Sequence, residues 1–214
     1  MLIGMANTKG GCAKSTTSVH LLHWLAMQGK TVALIDADVQ ATSSMWASTL
    51  GLSSDVRVES IDPDPELLFD LAQELNADFE FVVIDGPGGM TEVIRMCLLT
   101  VDLAVLPIQA TGPDVRAAGS ALKLLKSCQD IRKGDPRAVS YLTRVNRRTK
   151  AAEGARASLL KQDIAPLLNG MVSHRQIVQD GYSTGKTSFS HESGPGLEAA
   201  NEFKALFTEM LPDV

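Results

Sequence analysis

Short apolar runs alternate along the chain with segments of helical periodicity, and this alternation is the feature that most restricts the fold. In residues 15–28, for example, apolar side chains recur at helical spacing until Gly29 ends the pattern. Near-continuous apolar strands are typical of parallel sheets covered on both faces. We therefore predict a doubly wound, mostly parallel α/β sheet with helices on both faces, forming one domain over residues 1–214. The predicted strands are residues 2–6, 31–35, 79–84, 103–108 and 139–143, and the predicted helices are residues 15–28, 66–76, 90–99, 114–130, 151–164 and 197–210.

The segment NTKGGCAKSTT, residues 7–17, lies between the first predicted strand and the first predicted helix. It approaches the phosphate-binding pattern G-x-x-x-x-G-K-[ST], but Thr8 and Ala13 stand where the pattern has glycine. Backbone N–H groups and a helix N-terminus at such a turn converge on an anion. Lys14 adds a positive charge for the β- and γ-phosphates, and the Ser15 hydroxyl is a suitable Mg²⁺ ligand. The segment therefore predicts a nucleotide site.

Three carboxylates follow predicted strands. Asp36 and Asp38 lie in LIDADVQ, and Asp85 lies in FVVIDGPGG. Because the carboxyl ends of parallel strands meet at one edge of the sheet, these acids are expected beside the phosphate loop. There they can orient Mg²⁺-bound water and an attacking water molecule. Acids that merely cap helices are the alternative explanation, which the lysine-bearing loop upstream disfavours.

The order of these motifs resembles a known family. Residues 9–16, KGGCAKST, resemble the deviant Walker A loop of the ParA/MinD ATPases, K-G-G-x-G-K-[ST]. Residues 36–41 are similar to the D-x-D-P-Q switch of that family, 82–89 to its Walker B strand, and 142–146 to a segment near the adenine. Residues 196–211 are similar to the last helix of short partition ATPases without an N-terminal DNA-binding domain. The resemblance implies a P-loop ATPase that segregates DNA or positions a cargo.

The resemblance also implies ligands and residue roles. ATP and Mg²⁺ would be bound between the two subunits of a homodimer, and hydrolysis would loosen that dimer. Lys9 would contact phosphates in the partner subunit, Lys14 those of its own subunit, and Asp38 would position the attacking water. The expected nucleotide contacts are Lys9, Gly10, Gly11, Cys12, Ala13, Lys14, Ser15, Thr16, Asp85 and, near the adenine, Asn146. The expected Mg²⁺ ligands, directly or through water, are Ser15, Asp36 and Asp85.

Two positions depart from the family pattern. Val39 replaces the usual proline of the switch, and Ala13 replaces a glycine of the loop. Glycine tolerates positive φ, whereas alanine in that conformation costs roughly 1 kcal/mol. We expect the loop to form, but to bind nucleotide more weakly or to support slower hydrolysis.

Residues 132–161 contain nine basic and two acidic side chains, although the chain carries a net charge of −5. From charge alone, a solvated surface is the simpler explanation. The resemblance favours contacts to the phosphates of nonspecific double-stranded DNA in the ATP form, with release when a ParB-like or cargo-adaptor protein stimulates hydrolysis. Tyr141 is the one aromatic residue in this range, so stacking onto single strands is not expected. The candidate DNA contacts are Arg147, Arg148, Lys150, Arg156, Arg175 and Lys186.

The cysteines, histidines and C-terminal residues favour simple explanations. Three scattered cysteines and the lack of a long apolar run predict a cytoplasmic protein. The resemblance to partition ATPases implies, in addition, association with the nucleoid. Residues 201–214 hold one lysine and three acids, which argues against a membrane-binding helix. A redox role is conceivable for Cys12 at a helix N-terminus, but a small loop residue is the simpler interpretation. Cys97 and Cys128 are predicted to be buried, and His20 and His23 to be ordinary helix residues.

Two functions of other classes remain open. A small-molecule P-loop enzyme, such as a dethiobiotin-synthetase-like ligase, would share the loop but would not need Lys9 in a partner subunit. An iron–sulfur ATP-dependent reductase would bridge a cluster between subunits with cysteines.

Overall fold

The computed structural model describes residues 1–89, 91–146 and 149–214. Within these ranges the sheet has seven strands, and every pairing is parallel. The strands are β1 (Leu2–Met5), β2 (Val32–Asp36), β3 (Val56–Ser60), β4 (Phe81–Asp85), β5 (Leu103–Gln109), β6 (Arg137–Val145) and β7 (Leu167–Ser173). They lie in the order β3-β2-β4-β1-β5-β6-β7 across the sheet. With β1 central and strands added on both sides of it, the predicted doubly wound sheet is confirmed.

Helices cover both faces of the sheet. They are α1 (Lys14–Met27), α2 (Thr42–Ser48), α3 (Pro65–Asp78), α4 (Thr91–Thr100), α5 (Gly112–Ile131), α6 (Lys150–Leu159), α7 (Gln176–Gln179), α8 (Gly181–Thr184) and α9 (Gly194–Met210), with a 3₁₀ turn at Ser188–Ser190. Leu68, Ile94 and Leu125 of α3, α4 and α5 pack on one face. Leu21 of α1 and Phe207 of α9 pack on the other. No helix in the described ranges is long and apolar enough to cross a bilayer.

The elements missing from the sequence prediction are α2, the two short helices α7 and α8, and the two edge strands, β3 and β7. Both edge strands are largely half-buried, in contrast to the completely buried β1, β2 and β4. The backbone of β7 is bonded to α9, because Glu209 accepts from the N–H groups of Asn169 and Gly170. An edge strand buries less apolar surface than a central one, so its sequence lacks the apolar run on which the prediction relied.

Candidate nucleotide site

The loop between β1 and α1 has the conformation of an anion-binding turn. Gly11 and Ala13 both adopt left-handed backbone conformations with φ of 74°. Ala13 is the residue before α1, which begins at Lys14. The first N–H groups of a helix have no acceptor within the helix, so here they are available to a phosphate placed over the loop. The predicted positive φ at Ala13 is present, and alanine holds it at a cost of roughly 1 kcal/mol.

Strand β5 holds the loop in place. The Asn7 side-chain amide donates to the carbonyl of Pro107 at 2.9 Å, and its oxygen accepts from the Lys9 N–H at 3.1 Å. Further along the loop, the Gln109 amide donates to the carbonyl of Gly11 at 2.7 Å. These bonds join the loop to a neighbouring strand about a hundred residues away in sequence, which fixes its position relative to the sheet.

Cys12 is a structural part of this loop. Its side chain is buried, and its thiol donates to the carbonyl of Lys9 at 3.2 Å. Burial raises the pKa of the Cys12 thiol, although the Lys14 charge opposes this shift. A thiol with a raised pKa is a poor nucleophile, so the structure favours the small-residue interpretation of Cys12 over a redox role.

Lys14 and Asp38 both lie near Gly88, which packs against the glycines of the loop. Lys14 is buried, and its ammonium lies 3.3 Å from the carbonyl of Lys9. Gly88 packs against the loop so closely that a Cβ there would lie 3.3 Å from the Gly10 Cα. The Gly88 N–H donates to the Asp38 carboxylate at 3.3 Å. The predicted phosphate lysine and the predicted water-positioning acid therefore both lie close to Gly88.

Asp36 and Asp85 end the neighbouring strands β2 and β4 and are directly paired in register. Both side chains are completely buried. Asp36 is well bonded, since its carboxylate accepts from the N–H groups of Asp38 at 3.1 Å and Ser44 at 2.8 Å. This pairing confirms that the sheet brings the predicted acids to a single edge.

Asp85 has an unusual environment. Burial, followed by the charge of Asp36, raises its pKa from 3.8 to about 6, while the nearby Ser15 and Ser43 hydroxyls and the Lys14 ammonium lower it. Among the described residues, no hydrogen bond of normal geometry reaches either carboxylate oxygen. A buried carboxylate beside serine hydroxyls, with no hydrogen bond of good geometry from the described residues to either oxygen, offers the oxygen ligands that Mg²⁺ prefers. The residues present therefore fit the predicted Mg²⁺.

Lys9 does not lie over the loop. Its ammonium forms an ion pair with Asp114, in the first turn of α5, whose other oxygen accepts from the Thr111 hydroxyl. The Lys9 side chain is 43% exposed and that of Asp114 is 8% exposed. The two lysines of the loop are thus separated, with Lys14 buried at the site and Lys9 held at the surface.

The sequence of this chain matches a known family of nucleotide-binding domains. The family described as CobQ/CobB/MinD/ParA nucleotide binding domain matches residues 3–189. The chain belongs to this family. It is a nucleotide-binding P-loop ATPase of the ParA/MinD type.

Individual members of the ParA/MinD type match nearly the whole chain. The maintenance of carboxysome distribution protein A of Halothiobacillus neapolitanus is 26% identical over 216 residues, covering 98% of this chain and 96% of that protein. The chromosome-partitioning ATPase Soj of Thermus thermophilus is 24% identical over 99% of this chain and 96% of its own. The fold is that of the septum site-determining protein MinD of Pyrococcus horikoshii OT3, whose structure was solved with Mg-ADP. The two structures superpose with a TM-score of 0.75 and 19% sequence identity, and the match covers 99% of this chain and 97% of that one.

A cavity of about 210 Å³ opens beside the loop in this ParA/MinD-type ATPase. Ser15 and Thr16 form one side, and Thr143 and Arg144, at the end of β6, form another. Trp46 of α2 also lines it. Asn146, the predicted adenine contact, follows β6 and is exposed at its end, two positions beyond Arg144. The cavity is therefore the candidate position for the base and ribose, with Thr143 and Arg144 as additional lining residues.

The predicted DNA contacts fall into three groups. Arg147 and Arg148 lie outside the described residues. Lys150 and Lys186 are exposed. Arg156 donates to the Asn169 side chain at 3.0 Å, and Arg175 lines the cavity while pairing with Glu198 and Glu202 at 2.6 and 3.1 Å. Arg175 would have to leave these two carboxylates to bind a DNA phosphate.

The remaining predicted residues are structural. Cys97 and Cys128 are buried in α4 and α5, and burial raises the pKa of Cys97 to about 12. A Cβ on Gly4 of β1 would lie only 2.7 Å from the Cys97 sulfur, so this thiol packs directly under the central strand. His20 is fully buried, accepts from the Ser188 N–H at 3.1 Å and has its pKa lowered to about 3 by burial.

Proposed function

We propose that this protein is an ATPase that dimerises when it binds ATP and Mg²⁺, binds nonspecific double-stranded DNA as that dimer, and leaves DNA when a partner protein stimulates hydrolysis. One ATPase domain over residues 1–214 would perform this cycle in the cytoplasm, on the nucleoid. Its role would be to segregate a plasmid or chromosome, or to position a protein organelle. The partner would be a ParB-like protein or a cargo adaptor. The names of the relatives, carboxysome distribution and chromosome partitioning, support roles of this kind.

The observation that carries the proposal is the different placement of the two lysines of the loop. Lys14 is buried beside the acids, where it would contact the nucleotide of its own subunit. Lys9 is 43% exposed at the surface, where a second subunit can be reached. A cation that neutralises phosphates buried in an interface would make dimerisation depend on the nucleotide.

The metal and the acids complete the proposal. Ser15 and Asp85 would hold Mg²⁺, directly or through water, with Asp36 in its outer sphere. When bound, Mg²⁺ would neutralise developing charge on the β- and γ-phosphate oxygens. Asp38, held by the Gly88 and Gln40 N–H groups at 3.3 and 3.0 Å, would orient the attacking water.

The first experiment measures binding to an arbitrary duplex with no nucleotide, with ADP–Mg²⁺ and with ATP–Mg²⁺, across a salt series, together with the mass of the protein in solution. We expect a dimer and DNA binding with ATP alone, with an affinity that falls steeply as salt rises. Lys9→Ala should abolish dimer and DNA binding together, while the monomer retains some nucleotide binding.

Lys30→Ala is the matched control, because Lys30 is a half-buried lysine paired with Glu80 just before β2, at the opposite edge of the sheet. It should behave as wild type. ATP-dependent dimers of Lys9→Ala would disprove the role of Lys9 in the partner subunit. If the wild-type protein bound no DNA under any of these conditions, the basic residues would be interpreted as a solvated surface. That result would favour a small-molecule P-loop enzyme.

A further inference from the structure

The pairing of Lys9 with Asp114 has a direct consequence for the proposed dimer. Both residues belong to one chain, and they are joined across 105 positions of sequence. The Lys9 ammonium can contact phosphates in a partner subunit only after it leaves the Asp114 carboxylate. The ion pair and the dimer therefore compete for the same ammonium group.

Asp114 is built into the protein more firmly than Lys9. It is 8% exposed and lies in the first turn of α5, where a negative charge is favourable. Its side chain accepts from the Thr111 hydroxyl, and its own N–H donates to Thr111 at 3.3 Å. Burial raises the pKa of Asp114. Hydrogen bonds from Lys9 and Thr111, together with the charges of Lys9 and Arg144, lower it by more, so the pKa of Asp114 lies below its usual value.

Asp114 would not be isolated if Lys9 left. The Thr111 hydroxyl remains bonded, and the positive charge of Arg144 acts on the carboxylate. Arg144 lines the cavity together with Ser15 and Thr16, and its charge also acts on Asp114. Because a second cation is already present, release of Lys9 does not leave a buried charge without compensation.

We propose that Asp114 is a positioning residue that holds Lys9 within its own subunit and so raises the threshold for nucleotide-dependent dimerisation. This inference rests on the proposed role of Lys9 in the partner subunit. The pair opposes the encounter of two subunits until bound phosphates outcompete the carboxylate. A protein that must stay monomeric without ATP gains from such an internal competitor.

The test is the dimer dissociation constant, measured by sedimentation with Mg²⁺ and a non-hydrolysable ATP analogue, for wild type, Asp114→Asn and Asp130→Asn. Asp130 lies on the same helix and is paired with Lys126, so it is a matched control far from the loop. We expect Asp114→Asn to dimerise about fivefold more tightly, equivalent to about 0.5 kcal/mol for each of the two ion pairs that a dimer releases, and Asp130→Asn to match wild type. Asp114→Glu, which keeps the charge, should restore most of the wild-type value.

A double variant separates a specific role from a general one. In the Lys9→Ala background, which is expected to be monomeric, Asp114→Asn should neither restore dimers nor change nucleotide affinity, since Asp114 acts through Lys9. If Asp114→Asn is too unstable to study, Asp114→Ser keeps a favourable residue near the helix N-terminus. Unchanged or weaker dimerisation of these variants, with Lys9→Ala still monomeric, would overturn this inference and leave the proposed function intact. Persistent dimers of Lys9→Ala would instead overturn the proposed function itself.

Discussion

At the residue scale, Asp85 is a buried acid whose ionisation costs stability. Its pKa is about 6 instead of 3.8, so the ionised form costs roughly 3 kcal/mol in the folded protein at neutral pH. The sign follows from the raised pKa: between pH 4 and 6 the folded protein binds more protons than the unfolded chain, so stability falls as pH rises through that range. A cation that binds the carboxylate offsets this cost.

We predict that Asp85→Asn stabilises the nucleotide-free protein by about 2 kcal/mol at pH 7.5, the ionisation cost less that of a buried amide. At pH 4.5 the gain should shrink below about 1 kcal/mol, because Asp85 is then largely protonated in the folded protein. Urea unfolding at the two pH values measures both effects, with Asp70→Asn, an exposed acid on α3, as the control. ATP hydrolysis should be lost. Destabilisation by Asp85→Asn at pH 7.5 would contradict this account.

Ala13 is the other residue whose local conformation has a functional consequence. A left-handed alanine is less populated than a left-handed glycine, so a smaller fraction of molecules has the loop ready for phosphate. Ala13→Gly should therefore tighten ATP binding up to about fivefold, the equivalent of 1 kcal/mol. Calorimetric titration measures this. Lys133→Gly, which relieves another positive φ far from the loop, should leave the affinity as it is; an unchanged affinity for Ala13→Gly would make Ala13 a neutral substitution.

At the scale of elements, the sequence predicted the central strands, the main helices and the position of Asp36 and Asp85 because apolar runs and strand-end acids are local patterns. The two edge strands escaped prediction because their burial is incomplete. Residues that hold the site also escaped, since Gln109 and Asp114 act through contacts across about a hundred positions. No spacing pattern in the sequence indicates such contacts, because they form only when β5 lies beside β1 in the folded sheet.

The resemblance supplied roles that geometry in one chain does not reveal. It assigned Lys9 to a partner subunit, whereas the folded chain places Lys9 on its own Asp114. It placed residues 142–146 near the adenine, and Thr143 and Arg144 of that segment line the cavity, while the contact of Asn146 with the base stays a prediction. Gly88 is a supporting residue with a local signal, since it lies in the glycine-rich segment after β4, and a Cβ there would lie 3.3 Å from the Gly10 Cα.

At the scale of the whole molecule, an acidic chain can bind DNA only by presenting its basic residues together. The net charge of −5 opposes association with a polyanion at long range, so a monomer with few phosphate contacts should bind weakly. In the proposed dimer, twice as many basic side chains would face one duplex, which would multiply the affinity for DNA without any new kind of contact. Control of the proposed DNA binding would then depend on the lifetime of the dimer.

We expect hydrolysis to set the lifetime of the dimer. Substitution of Asp38 can test this, because it should stop hydrolysis without preventing dimer formation. We predict that Asp38→Ala lowers ATP turnover at least about 100-fold, because the attacking water loses its positioning group, while Lys9, Lys14 and the Mg²⁺ ligands still assemble the dimer. The variant should remain dimeric and DNA-bound for hours after an excess of ADP is added, whereas wild type dissociates as ATP is consumed. Asp55→Ala, an exposed acid before β3, should cycle as wild type. Normal turnover in Asp38→Ala would remove Asp38 from catalysis, and lost turnover with rapid dissociation would show that something other than hydrolysis opens the dimer.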